Sequence, residues 1–130
     1  MKKINFIIFS LFILSLVGCS TPTVKELKQN PAGQYSFVTN KNYKVVYRIT
    51  SNYFDKANSP GSVHTRLYLD KKEAKVYRRI SGFLNPTNIT LACEIKAMNK
   101  NKTSVKIFYL YSPWKERALS IKKVILSNNK

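Results

Sequence analysis

Two cysteines, one histidine and six acidic residues are the side chains of this sequence most suited to reaction chemistry. A metal centre usually takes three or four His, Cys, Asp or Glu ligands at close spacing, and His64 is the only histidine. The carboxylates are scattered, and the sequence has no G-x-S-x-G nucleophile motif and no glycine-rich phosphate loop. We therefore expect no catalytic residues, no metal site and no cofactor, and we place His64 on the surface.

Cys19 has a different chemical role, which the residues before it indicate. Met1-Lys2-Lys3 is positively charged, and residues 4–17 are apolar apart from Asn5 and two serines. This apolar run is shorter than the roughly 20 residues that a helix needs to cross a bilayer. A basic start followed by such a run is typical of a secretory signal peptide.

The end of this leader, Leu16-Val17-Gly18-Cys19, resembles the lipobox of bacterial prolipoproteins, in which small residues precede an obligatory cysteine. The resemblance implies a diacylglyceryl thioether on the Cys19 sulfur, cleavage after Gly18, and acylation of the new amino group, for example with palmitate. Two or more acyl chains anchor a protein firmly, since each buried methylene contributes about 0.8 kcal/mol. The predicted organisation is a signal peptide at 1–18, a lipidated cysteine with a tether at 19–33, and one domain at 34–130.

The residue after the lipidated cysteine bears on which membrane holds the anchor. In enterobacterial lipoproteins an aspartate at this position implies retention at the inner membrane, and here the residue is Ser20. The resemblance therefore implies the outer membrane, facing the periplasm, for a Gram-negative source. A Gram-positive cell would carry the same product on the outer face of its only membrane.

A large basic excess, 23 Lys and Arg against 6 Asp and Glu, indicates anionic surroundings or partners. In a cell envelope these are anionic lipids, phosphorylated or carboxylated glycans, or an envelope protein. The secretion signal argues against nucleic acid, the usual partner of so basic a domain. A lysozyme-inhibitor-like role is also excluded, because the target of such inhibitors is itself cationic. Solubility is the simpler explanation of the charge and stays open.

Five segments have the period-two alternation of β-strands: residues 34–39, 62–69, 74–80, 89–98 and 103–111. Polar turns at 70–73 and 99–102 join two pairs of them as hairpins. The clearest alternation places Ile89, Leu91, Cys93 and Ile95 on one side, so we expect Cys93 to be buried and inert.

The segment 42–57 fits two interpretations. As a strand it would alternate from Tyr43; as a helix it has Asn42 as N-cap and Val46, Ile49, Tyr53 and Ala57 on one face. We favour the helix because the apolar periodicity continues to Ala57. A second helix should begin at Ser112-Pro113, a good N-cap followed by proline at the first helical position, with Trp114, Ala118, Ile121 and Ile125 inward.

The order β-α-β-β-β-β-α predicts an α+β domain, in which two helices cover one face of an antiparallel sheet of about four to five strands. The other face would carry basic side chains interleaved with aromatic ones. Its candidate anion-binding residues are Arg66, Lys75, Tyr77, Arg79, Lys96 and Lys106. Any sheet open on one side shows polar residues there, so a merely solvated face is the alternative.

These patterns together predict a membrane-anchored, non-catalytic envelope lipoprotein that binds an anionic envelope component or a protein partner through the basic face. The alternative is a structural or accessory subunit of an envelope secretion or outer-membrane assembly complex, which is an analogy with other small tethered domains.

Overall fold

The computed structural model of the chain describes residues 24–57, 61–80 and 88–127. It contains a five-stranded antiparallel sheet with the order β1-β5-β4-β3-β2. The strands are β1 (Gly33–Thr39), β2 (Ser62–Tyr68), β3 (Glu73–Ile80), β4 (Asn88–Asn99) and β5 (Lys102–Tyr109). The described helices are α1 (Val24–Gln29), α2 (Tyr43–Lys56) and α3 (Lys115–Ser127), the last preceded by a 3-10 turn at Ser112–Trp114.

The predicted α+β class is confirmed, and the predicted strands and two long helices occur in the predicted order. The predicted signal peptide and the predicted lipidation site at Cys19 lie outside the described residues. Within the described ranges, no helix is both long enough and apolar enough to cross a membrane.

One face of the sheet is buried beneath α2 and α3 and forms the main core. Because side chains alternate between the two faces of a strand, every second residue of the central strands points to these helices. The buried sheet residues of this core include Ala74, Val76, Leu91, Cys93, Ile95, Val105 and Ile107.

A β-bulge in β4 changes which face Ile89 occupies. Arg78 pairs with Leu91, but Arg79 pairs with Ile89, so that Thr90 is the extra residue. A bulge of this kind reverses the facing of the residues beyond it. Ile89 therefore packs on the face opposite Leu91, and the prediction that the two share a side was wrong.

Helix α2 is confirmed, and the Asn42 side chain caps it by accepting a hydrogen bond from the Lys44 backbone N–H at 2.9 Å. Its buried positions are Tyr43, Val46, Thr50 and Phe54. Of the four residues predicted to share the inner face of this helix, only Val46 is fully buried. Thr50 can be buried in place of a more apolar neighbour because its hydroxyl donates to the Val46 carbonyl at 2.8 Å.

The start of the C-terminal helix also differs from the prediction. Ser112 is the first residue of the 3-10 turn and not a cap, and Tyr111 precedes it without a capping side-chain hydrogen bond. Ala118, Ile121 and Ile125 are buried as predicted.

Candidate anion-binding cleft

Helix α1 covers part of the sheet face that is opposite α2 and α3. Its Leu27 is completely buried and packs in a second apolar cluster with Tyr77, Ile89, Ala92 and Phe108. Burying a leucine side chain contributes about 2 kcal/mol, and Val24 of the same helix packs against this cluster as well. The helix lies within the predicted tether, so the face that we expected to be open is partly covered.

A cleft of about 390 Å³ lies beside α1 on this same face. We call it the lysine cleft because its charged lining consists of four lysines and two glutamates. These residues are Lys28 of α1, Glu73 and Lys75 of β3, Glu94 and Lys96 of β4, and Lys106 of β5. The volume is within the range typical of small-molecule sites.

Three ion pairs connect the charges of the lysine cleft. The carboxylate of Glu94 lies 2.8 Å from the Lys28 amine and 3.9 Å from the Lys75 amine. The Lys96 amine lies 3.3 Å from the carboxylate of Glu73. All of these side chains are partly exposed, and such pairs contribute between zero and about 1 kcal/mol each. The pairs can therefore open to admit a stronger anion.

Lys106 is the lysine of the cleft that the acidic residues leave available. It lies opposite Glu94 in the β4–β5 register and opposite Ser36 in the β1–β5 register. Within the described ranges it forms no ion pair at salt-bridge distance, and its side chain is exposed. With four amines and two carboxylates, the lysine cleft keeps a positive excess.

The structure brings together three of the six predicted binding residues, Lys75, Lys96 and Lys106. Arg66 is adjacent, since it pairs with Lys75 across β2 and β3. A side-chain hydrogen bond with Tyr68 raises the pKa of Arg66 above its usual range, so this exposed residue stays cationic.

Tyr77 and Arg79 do not line the cleft. Tyr77 is buried beside Leu27, which leaves its ring little surface to offer a ligand. Arg79 lies beyond the bulge, near the other end of β3, where it pairs with Ser62 and Ile89. Its Nε is buried and has no hydrogen-bond partner within the described ranges.

Lys28 is a cleft residue that we did not predict, because we assigned its segment to the tether, with at most a turn of helix at 24–28, and not to the folded domain. The available signal was the spacing of Val24 and Leu27, which places two apolar residues on one face of a helix. Glu26 in the first turn and Lys28 in the last also suit the helix dipole.

His64 is half-buried, and its ring stacks on that of Tyr77 at a centroid distance of 5.2 Å. Its Nε2 lies 3.0 Å from the Ser62 hydroxyl oxygen. A serine nucleophile would need a third group to orient the histidine, and no described carboxylate makes a hydrogen bond or ion pair to His64. No group of three potential metal ligands occurs in the described ranges.

The lysine cleft is thus suited to holding a small anionic group by point charges. Comparison with protein-family models and with curated proteins finds no match for this chain. Function is therefore inferred from the cleft and from the N-terminal sequence.

Proposed function

We propose that this protein is a membrane-anchored, non-catalytic lipoprotein of the cell envelope that binds an anionic envelope component in the lysine cleft. The observation that supports the proposal is the convergence of Lys28, Lys75, Lys96 and Lys106 from four different elements. Only two carboxylates balance these four amines, and both already serve other lysines and not Lys106.

The chemistry of the cleft favours a phosphate-bearing lipid headgroup or glycan. A lysine ammonium is a compact point charge that approaches phosphate from several directions, and Arg66 at the rim adds a planar fork. A volume of about 390 Å³ accommodates a phosphorylated sugar. Binding would replace the weak internal ion pairs with stronger ones to the ligand.

The proposed anchor at Cys19 would keep this cleft near a bilayer, most simply the outer membrane on its periplasmic side. Helix α1 begins at Val24, so the connection to Cys19 spans about 17 Å even when it is fully extended. Because α1 itself supplies Lys28, the binding site would begin immediately after the tether.

Titration with purified lipopolysaccharide tests the cleft. The variant Lys75→Gln, Lys96→Gln, Lys106→Gln removes three cleft charges, and Lys56→Gln, Lys115→Gln, Lys123→Gln removes three exposed charges on the helices of the opposite face. We expect the cleft variant to bind lipopolysaccharide at least about tenfold more weakly than the wild type. The control variant should change the affinity by about twofold or less, because exposed charges outside a contact are largely screened. Equal losses in the two variants would show a general charge effect and reject the cleft.

Mass spectrometry of the protein from bacterial membranes tests the anchor. We expect an N-terminal Cys19 carrying acyl chains, and a Cys19→Ala variant that keeps its leader and gains no lipid. An intact Met1 or an unmodified Cys19 in the mature protein would reject membrane anchoring by lipid. Stoichiometric protein partners in detergent extracts would instead favour an accessory subunit of an envelope complex.

A further inference from the structure

Two hairpin turns and the start of α2 meet at one end of the sheet. The β2–β3 turn carries Leu69 and Lys72. Met98 is the next-to-last residue of β4, Lys100 is in the β4–β5 turn, and Lys44 is in the first turn of α2. All five line a single open recess of about 610 Å³. We call this set of residues the hairpin end.

Hydrogen bonds fix the parts of the hairpin end relative to one another. The Asn42 side-chain amide donates to the Lys100 carbonyl at 2.9 Å, which joins α2 to the β4–β5 turn. The Ala97 N–H donates to the Lys72 carbonyl at 2.9 Å, which joins that same hairpin to the β2–β3 turn. The hairpin end is therefore a preformed surface and not a set of independent loops.

Apolar side chains project from this surface. Leu69 is 60% exposed and Met98 is 59% exposed, which makes them the most exposed large apolar residues that the structure describes. Neither packs in one of the two apolar clusters, so neither exposure is explained by the fold.

Lysines surround these two apolar side chains. Lys44, Lys72 and Lys100 line the recess itself, and its lining includes no acidic residue. Further lysines lie in the same segments at Lys41, Lys71 and Lys102. The acidic residues of these segments are Asp70 and Glu73, and Glu73 is paired with Lys96. The hairpin end is thus strongly cationic around an apolar tip.

We propose that the hairpin end docks on the surface of an anionic phospholipid bilayer. Leu69 and Met98 would enter the headgroup region, as the apolar side chains of interfacial proteins do. The surrounding lysines would lie at the level of the lipid phosphates, where basic residues are attracted to an anionic leaflet. This surface differs from the lysine cleft in its residues, and the proposal does not depend on that cleft.

Site-specific fluorescence on the full chain, reconstituted in vesicles, tests the contact directly. A fluorophore attached at Met98→Cys should be quenched by nitroxide-labelled lipid in vesicles that contain phosphatidylglycerol. A fluorophore at Asn52→Cys, on the exposed side of α2, should not be quenched. Cys93 is buried, so it stays unlabelled in the folded protein, and the thioether proposed for Cys19 would leave that sulfur without a thiol to label.

Charge variants separate docking from simple proximity to the membrane. Lys44→Gln and Lys100→Gln are combined with Lys72→Asn, because Lys72 has a φ of 51° and asparagine tolerates this left-handed region. Each lysine near an anionic surface contributes about fivefold to binding, so the docked fraction at Met98→Cys should fall by about tenfold or more. The control Lys56→Gln, Lys115→Gln, Lys123→Gln should leave it within about twofold, since these exposed charges lie outside the contact.

Three results would overturn the proposal. One is a Met98→Cys probe that stays in water in phosphatidylglycerol vesicles. Another is equal quenching in vesicles of pure phosphatidylcholine, which would show that anionic lipid is not recognised. The third is quenching of a probe at Lys106→Cys in place of the one at Met98→Cys, which would assign the membrane contact to the lysine cleft.

Discussion

The guanidinium of Arg78 donates a hydrogen bond to the backbone carbonyl of Phe54 and lies 5.8 Å from the centre of the Phe54 ring. Arg78 is on the helix-covered face of β3 and is only 3% exposed. Burial, together with the nearby charge of Arg117, lowers its pKa from the usual range, and Asp55 opposes this shift. Since Phe54 is in the last turn of α2, this hydrogen bond fastens the end of the helix to the sheet.

We predict that Arg78→Ala lowers the free energy of unfolding by about 2–3 kcal/mol, the cost of losing a hydrogen bond from a charged group and leaving a buried carbonyl without it. Urea denaturation followed by circular dichroism measures this change. Arg66→Ala, at an exposed arginine of the neighbouring strand, is the control and should change stability by less than about 0.5 kcal/mol. Equal effects of the two substitutions would show that Arg78 does not fasten α2.

Removing the side chain that docks α1 should loosen this helix selectively. Leu27→Ala leaves a cavity beside Tyr77 and Phe108, and substitutions of buried leucine by alanine cost about 2–5 kcal/mol. Helix α1 precedes the strands in the sequence and can detach without unfolding them. We therefore expect the loss of stability to appear first as faster hydrogen exchange of the α1 amides. The amides of β4 and β5 should remain protected.

Leu126→Ala is a matched control for this experiment, since Leu126 is a helical leucine that is 39% exposed. It should leave the exchange of both α1 and the sheet nearly unchanged. If Leu27→Ala accelerated exchange throughout the sheet to the same extent as in α1, the helix would be part of the main cooperative unit and not a separately docked element.

The stability of the protein should fall at high pH because of Cys93. Burial raises the pKa of this thiol to about 12, the Thr50 hydroxyl opposes the shift, and the charge of Glu94 adds to it. The unfolded thiol ionises near pH 9, so above that pH the unfolded state binds fewer protons than the folded one. The thiol therefore costs stability as pH rises from about 9 towards 12, by up to about 1.4 kcal/mol per pH unit.

Urea denaturation of the wild type and of Cys93→Ala at several pH values measures this contribution as the difference between the two proteins. Lysine and tyrosine titrations are common to both and cancel. The difference should be constant below about pH 8, where the thiol is protonated in both states. A difference that did not change between pH 9 and 11 would contradict the raised pKa, as would rapid labelling of Cys93 in the folded protein by a thiol reagent.

The sheet and the long helices were predictable because alternation and helical periodicity report directly on which side chains face a core. Which individual residues face the core was less predictable. Thr50 is buried on α2 because its hydroxyl bonds within the helix, and the bulge at Thr90 moves Ile89 to the other face. Both effects depend on hydrogen bonds that composition alone does not reveal.

The lysine cleft was predictable in part. Register brought Lys75, Lys96 and Lys106 together because they occupy neighbouring positions on adjacent strands. Tyr77 was unavailable to a ligand because Leu27 packs beside it. Lys28 was missed because its segment was assigned to the tether: two apolar residues in six, Val24 and Leu27, indicate a turn of helix but not that this helix docks on the sheet.

The position of β1 in the sheet has a consequence for the order of folding. It pairs with β5, and every residue pair in this register is more than 60 residues apart in the sequence, whereas β2 to β5 follow one another as neighbours. Contacts over such a distance form slowly, because a long loop must close first. Strand β1 can therefore pair only after β5 has been synthesised and has folded. Until then the edge of β5 is exposed, and a second copy of the chain could pair with it.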